Sequence, residues 1–228
     1  MQPLLLLHGA IGASAQLKSL AEQLSSTFKI HTFDFAGHGG KEGTEAPFSM
    51  ANFANEVLAF MEQEKLDKVS IFGYSMGGYV GMYLAKHYPD KVEKVVTLAT
   101  KYHWDETTAA REVQMLNPEK IEQKVPAFAE ALKNMHAPND WKQLMKQTAD
   151  MMLALGNDNP LKLTDYVSIS TPAMILLGDR DKMVTLDETL AVYKALPNAQ
   201  LGVIPNTPHP IEQVDAELLS VLIKRFLV

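Results

Sequence analysis

The chain has 228 residues, 46% of them hydrophobic and 21% charged, with a formal net charge of −6. That length supports one sizeable domain, which buries roughly 70–75% of its unfolded surface and needs no metal or disulfide to hold a core. No basic stripe is present for phosphates, so nucleic acid is not an expected partner. The absence of cysteine rules out disulfides, thiolate metal sites and a cysteine nucleophile.

The chain opens MQPLLLLHGAIG. Its four-leucine run is too short for a signal-peptide core or a membrane span, so the expectation is a cytoplasmic protein with no membrane partner. Residues 3–7 read as a strand, as do 30–35, 69–73, 92–99, 173–177 and 201–204. Their apolarity is continuous rather than alternating, the pattern of strands buried on both faces of a parallel sheet. Amphipathic helices are expected at 52–65, 79–88, 186–196 and 212–226. Strand–helix alternation of this kind predicts an α/β fold.

Residues 102–167 break the rhythm, with helical patterns and no convincing strand. Asn117-Pro118 opens one helix, with Ile121, Val125, Phe128, Leu132 and Met135 at helical spacing and Pro126 expected to kink or split it. Asn139 or Asp140 caps a second, which carries Trp141, Leu144, Met145, Thr148, Met151, Met152 and Leu155 on one face and Gly156 as its terminator. The expected organisation is a core of residues 1–101 and 168–228 with a helical insertion, 102–167, after the fourth strand.

The third strand ends in IFGYSMGGYV, residues 71–80. A serine at the carboxyl end of a parallel strand, with glycines two residues either side, fits a turn too tight for neighbouring Cβ atoms. Such a nucleophile elbow exposes the Ser75 hydroxyl and turns the Met76 N–H, at a helix start, toward an anion. A serine hydroxyl needs a base, and the base needs orienting. His209, in PNTPHPIEQ between the last strand and the last helix, is the best placed of seven histidines, its backbone stiffened by Pro208 and Pro210. LLGDRDKMV offers Asp179 and Asp181 as the orienting acid. HGAIG, residues 8–12, follows the first strand, where the Ala10 N–H could join that of Met76 in an oxyanion hole, and His8 reads as a structural residue holding that loop. No metal cluster stands out, and His38 with Asp34 reads as a loop tether.

Taken together, the HG loop (His8, Gly9), DFAGHG (Asp34 to Gly39), GYSMGG, and GDRDKMV with the late His209 resemble the α/β-hydrolase superfamily, in its small capped type that includes many esterases and thioesterases. The resemblance covers the chain from Leu4 to Phe226. It implies Ser75 as nucleophile, His209 as base, Asp181 as acid with Asp179 structural, Ala10 and Met76 as oxyanion donors, and a helical cap roofing an acyl pocket. Members usually carry a β-hairpin before the HG loop, and this chain begins almost at the loop. A mostly parallel sheet of about six strands without that hairpin is expected, or else a chain that has lost its N-terminus. Two further departures are Gly40-Lys41 in place of the usual serine after the GHG motif, and Pro208 in place of the glycine before the histidine.

The expected activity is hydrolysis of a small-molecule ester or thioester with a small to medium apolar acyl group, through an acyl-enzyme and without a cofactor or metal. Because an imidazole base must start neutral, activity is expected to rise with pH. The same triad also serves carbon–carbon bond hydrolases and lyases, and some proteins on this fold bind ligands without turnover. Dehalogenase and epoxide hydrolase chemistry would need a carboxylate at position 75. Ile11, His103, Trp104, Trp141 and Met145 are the candidate pocket residues. Met115, Met135, Met145, Met151 and Met152 give the insertion an adaptable apolar character. Lys101 reads as a solvated side chain or a partner for a substrate carboxylate.

Overall fold

A computed structural model describes residues 1–228. Six strands, β1 (Pro3–Leu7), β2 (Lys29–Thr32), β3 (Val69–Tyr74), β4 (Val92–Leu98), β5 (Ala173–Gly178) and β6 (Ala199–Ile204), form one sheet in the order β2-β1-β3-β4-β5-β6. Every neighbouring pair is parallel. The chain steps outward from β1 to β2, then returns across β1 to β3, so the strand order reverses between β1 and β3. Ligands bind at such switch points, beyond the carboxyl ends of the strands.

Period-two alternation sends Leu4 and Leu6 to one face of the sheet and Leu5 and Leu7 to the other. On the first face lie α1 (Lys18–Leu24) and α9 (Ala216–Leu227), packed through Leu17, Leu20, Leu24, Leu219 and Ile223. On the second lie α2 (Met50–Gln63), α3 (Met76–His87) and α8 (Leu186–Ala195), which contribute Val57, Val80 and Val192. Each fully buried leucine of β1 contributes about 1.5–3 kcal/mol of transfer free energy, and all four are fully buried. No helix is long and apolar enough to cross a membrane.

Between β4 and β5 the chain is helical: α4 (Glu106–Glu112), α5 (Pro118–Lys124), α6 (Pro126–His136) and α7 (Trp141–Asn157), with short 3-10 turns at Val113–Met115 and Tyr166–Ser168. Asn117 caps α5 by accepting the Lys120 N–H at 2.8 Å, and Asp140 rather than Asn139 caps α7. Proline at 126 splits the first expected helix in two, and the break resets its phase. The buried residues of α6 are Ala129, Leu132 and His136, whereas Val125 and Phe128 are exposed. Gly156 is not a terminator, because α7 runs on to Asn157. A Cβ there would lie 2.5 Å from the Ala109 Cβ, so its role is the close crossing of α4 and α7.

Two further differences from the sequence reading have local causes. β2 ends at Thr32 because Phe35 turns its N–H away from the sheet to His8 Nε2. The last helix starts at Ala216, where Asp215 accepts the Glu217 and Leu218 N–H groups at 3.0 Å; Ile211–Gln213 is a separate 3-10 turn. α1 and the 3-10 turn before it (Ser14–Leu17), absent from the sequence reading, bury Leu17, Leu20 and Leu24 at helical spacing while most other residues of α1 face solvent.

Candidate active site

Ser75 stands between β3 and α3 with φ 51° and ψ −116°, a backbone that residues with a side chain rarely adopt. The turn is held from several sides. The Ser75 N–H donates to the Leu98 carbonyl at 2.8 Å, and its own carbonyl accepts from Thr100 Oγ1 at 3.0 Å and Gly78 N–H at 3.0 Å. A Cβ on Gly73 would sit 2.4 Å from the Gly77 backbone, and one on Gly77 would sit 2.4 Å from the Leu7 carbonyl oxygen. The ends of β1 and β3 and the start of α3 therefore meet only because both positions are bare. Met76 is the first residue of α3, so its N–H lacks an intrahelical carbonyl.

The loop after β1 is set by His8, which is fully buried. Its Nδ1–H donates to the Gly9 carbonyl at 2.8 Å, and its Nε2 accepts the Phe35 N–H at 3.1 Å. Burial pulls this ring down to about 4, against the opposing effect of the Gly9 bond, so His8 is a neutral clasp at neutral pH. The Gly9 carbonyl also accepts the Gly12 N–H at 3.2 Å. That carbonyl shares one peptide plane with the Ala10 N–H, and the two point in opposite directions, so fixing the oxygen fixes the direction of the donor. Nearby, His38 Nδ1–H donates to the Ala36 carbonyl at 3.0 Å, while Asp34 accepts the Ser14 N–H at 2.6 Å. His38 thus ties its own segment, whereas Asp34 ties the loop after β2 to the loop after β1.

Asp181 and His209, brought together from the ends of β5 and β6, join through a 2.8 Å hydrogen bond between Oδ2 and Nδ1. Asp181 Oδ1 accepts the Met183 and Val184 N–H groups at 2.8 and 2.9 Å. Burial pushes this carboxyl up, but the His209 bond and charge together with the two amides outweigh it and hold the group below the ordinary carboxylate range. Asp179 does something else, accepting the Thr207 N–H at 3.1 Å and so tying the histidine loop to the end of β5. His209 lies against the serine turn through Tyr74, whose hydroxyl donates to the His209 carbonyl at 3.0 Å and whose ring centroid is 5.5 Å from the imidazole. The structure records no hydrogen bond between the Ser75 hydroxyl and the His209 ring.

A cavity of about 40 Å³ opens on Ser75, lined also by Ala10, Met76, Lys101, Trp104 and Met151. Of the five expected pocket residues, only Trp104 lines it. Ile11, Trp141 and Met145 instead pack together with Ile121, Ala129 and Leu132 in a small apolar cluster of the inserted helices. His103 is exposed, bonded to Asp105 at 3.1 Å, and faces a different cavity beside Tyr166 and Val192. It directly follows buried Tyr102, and its own side chain turns outward. Lys101 is neither solvated nor free: it is 9% exposed, with Glu112 and Glu188 each 3.6 Å from Nζ. Met50, Tyr79 and Leu155 also line the Ser75 cavity. Tyr79 and Leu155 fall in expected helices and Met50 just before one, and nothing in the sequence marked them as cavity residues.

A family model described as alpha/beta hydrolase fold matches residues 2–144. A Synechocystis protein provisionally named a non-heme chloroperoxidase is 27% identical over 99% of this chain and 91% of its own length. A pimeloyl-[acyl-carrier protein] methyl ester esterase of Vibrio campbellii is 25% identical over 98% of this chain and 93% of its own. Among solved structures, a thermophilic esterase from Thermogutta terrifontis superposes with a TM-score of 0.77 at 23% identity, over 100% of this chain and 89% of that one. With the parallel six-stranded sheet and the strained turn at its switch point, these matches place the chain in the α/β-hydrolase family.

Proposed function

We propose that this protein is a serine hydrolase that cleaves an ester or thioester with a short, uncharged, apolar acyl group. The observation that carries the reading is the Asp181–His209 pair, 2.8 Å apart and packed on the residue before a strained Ser75. In this mechanism His209 takes the Ser75 proton as Oγ attacks the acyl carbon, and the amides of Ala10 and Met76 stabilise the oxyanion. His209 then gives that proton to the departing alcohol or thiol, and the carbonyl re-forms as the acyl-enzyme. Water, deprotonated by the same ring, releases the acid and returns the proton to Ser75. Asp181 holds the tautomer with Nδ1–H and stabilises the cation. The hydrogen bond from the Ser75 hydroxyl to His209 is expected to form in the substrate complex, since catalytic hydrogen bonds are often long or poorly aligned before substrate binds.

The cavity supports the choice of acyl group. Its 40 Å³ is room for roughly three waters, at about 10–15 Å³ each, and its methionines can adapt to modest extensions. Lys101 on its wall is flanked by two glutamates, so it offers no uncompensated positive charge to a substrate carboxylate.

A panel of nitrophenyl esters and acyl thioesters of increasing chain length tests the reading. Acetyl and propionyl esters should turn over faster than octanoyl or carboxylate-bearing ones, with an acyl-enzyme burst. Ser75→Ala should abolish both the burst and covalent labelling by a fluorophosphonate. Labelling that survives Ser75→Ala would assign the chemistry to another nucleophile.

A further inference from the structure

His136 lies on the inserted helix α6, far in sequence from the elements that carry Ser75, Asp181 and His209, and is fully buried. Both ring nitrogens are engaged at the site edge. Nδ1 accepts the Gly39 N–H at 3.0 Å, from the loop after β2, and Nε2–H donates to the Ile11 carbonyl at 3.0 Å, from the loop after β1. Because Nδ1 accepts, the ring is held as the tautomer with hydrogen on Nε2. Ile11 needs such a hold, since it is β-branched and stands at φ 51°, a region where such residues are rare. Its side chain is gripped by the same insertion, against the cluster of Ile121, Ala129, Leu132, Trp141 and Met145. Residue 11 is also the second central position of the turn closed by the Gly12 N–H and the Gly9 carbonyl, the turn that contains the Ala10 N–H.

We propose that His136 is a positioning residue for the oxyanion hole: by pinning the Ile11 carbonyl, it makes the direction of the Ala10 N–H depend on where the inserted helices sit. This rests on the hydrolase reading above. His8 fixes one side of the turn from within the core, and His136 fixes the other from the insertion. The donor is therefore correctly aimed only when α6 is docked, and closure of the inserted helices and assembly of the anion site become one event.

The test compares His136→Asn with His136→Gln. Asparagine places an acceptor near the Nδ1 position and preserves the Gly39 link, but falls short of Ile11. Glutamine carries an N–H donor close to the Nε2 position and preserves the Ile11 link. Each variant is assayed for kcat and KM on a short nitrophenyl ester, for Tm, and for the Ki of an alkylboronic acid, whose tetrahedral adduct on serine sets an oxygen in the hole. In His136→Asn, kcat should fall and boronate Ki should rise together, by about tenfold to a hundredfold. KM should change by less than about twofold, since ground-state binding is untouched, and Gln should retain most of the activity. Full activity and boronate affinity in His136→Asn would overturn the proposal, as would equal losses in both variants that track Tm. A Ser75→Ala control that keeps turnover would sink the hydrolase reading and this proposal together. A dead control beside a fully active His136→Asn would sink this proposal alone.

Discussion

Tyr166 carries a hydroxyl that is fully buried and has no hydrogen-bond partner, while its ring packs edge-on against Tyr102 at 5.8 Å. A hydroxyl removed from water without a partner costs about 1–3 kcal/mol. Tyr166→Phe keeps the ring and deletes the orphan, so thermal unfolding should occur at the same temperature or higher. A loss of more than about 1 kcal/mol would mean that the hydroxyl is satisfied by something bound. At this scale the sequence was legible where chemistry dictates residue type and illegible where only contact decides. Ser75, His209 and the two aspartates stand out in the string; residue type alone leaves Asp181 and Asp179 open, the resemblance favours Asp181, and in space one reaches His209 Nδ1 and the other the Thr207 amide. His136 gave no signal, since only its bonds to Gly39 and Ile11, both distant in the chain, mark it.

Elements were legible in proportion to how continuously apolar they are. β1 was read to the residue and β5 to within one, because both are buried along their length. α1 escaped because only three leucines mark it, and the face of α6 was misjudged because the phase was carried through Pro126. Gly156 sharpens the point. On helix propensity alone, Gly156→Ala should stabilise α7 by about 1 kcal/mol. The new Cβ would instead meet the Ala109 Cβ at 2.5 Å and the Asp105 carbonyl at 2.9 Å. Urea denaturation should therefore show a net loss of about 1–3 kcal/mol, and a gain would mean that α4 and α7 separate without penalty. The small volume of the cavity belongs to the same scale: it is set by how α7 lays Met151, Met152 and Leu155 over the serine turn, and no residue count foretells that.

At the scale of the whole molecule, His8, His38 and His136 form a buried cluster, with ring centroids 5.1 Å apart for the first pair and 5.9 Å for the second. Burial is the leading cause holding each below the usual imidazole range, His8 at about 4. Between that value and the unfolded value of 6.5 the unfolded chain binds more protons, so stability is full above pH 6.5 and falls as the medium acidifies. For His8 alone the loss reaches about 3 kcal/mol near pH 4. Asp181, held below the carboxylate range, adds a loss of the same sign at lower pH. Tm should decline steadily from pH 7 to pH 4.5, and a flat profile would show that the cluster takes up protons without opening. Strand order carries a last consequence. The serine turn needs β1, β3, β4 and Thr100 just past them, all complete by residue 100, whereas the Asp181–His209 pair needs β5 and β6, from beyond the inserted helices. During synthesis, then, the nascent polypeptide carries its alcohol long before the acid and base that the proposed mechanism assigns to it, and on that mechanism it stays chemically mute until His209, beyond β6, has emerged from the ribosome.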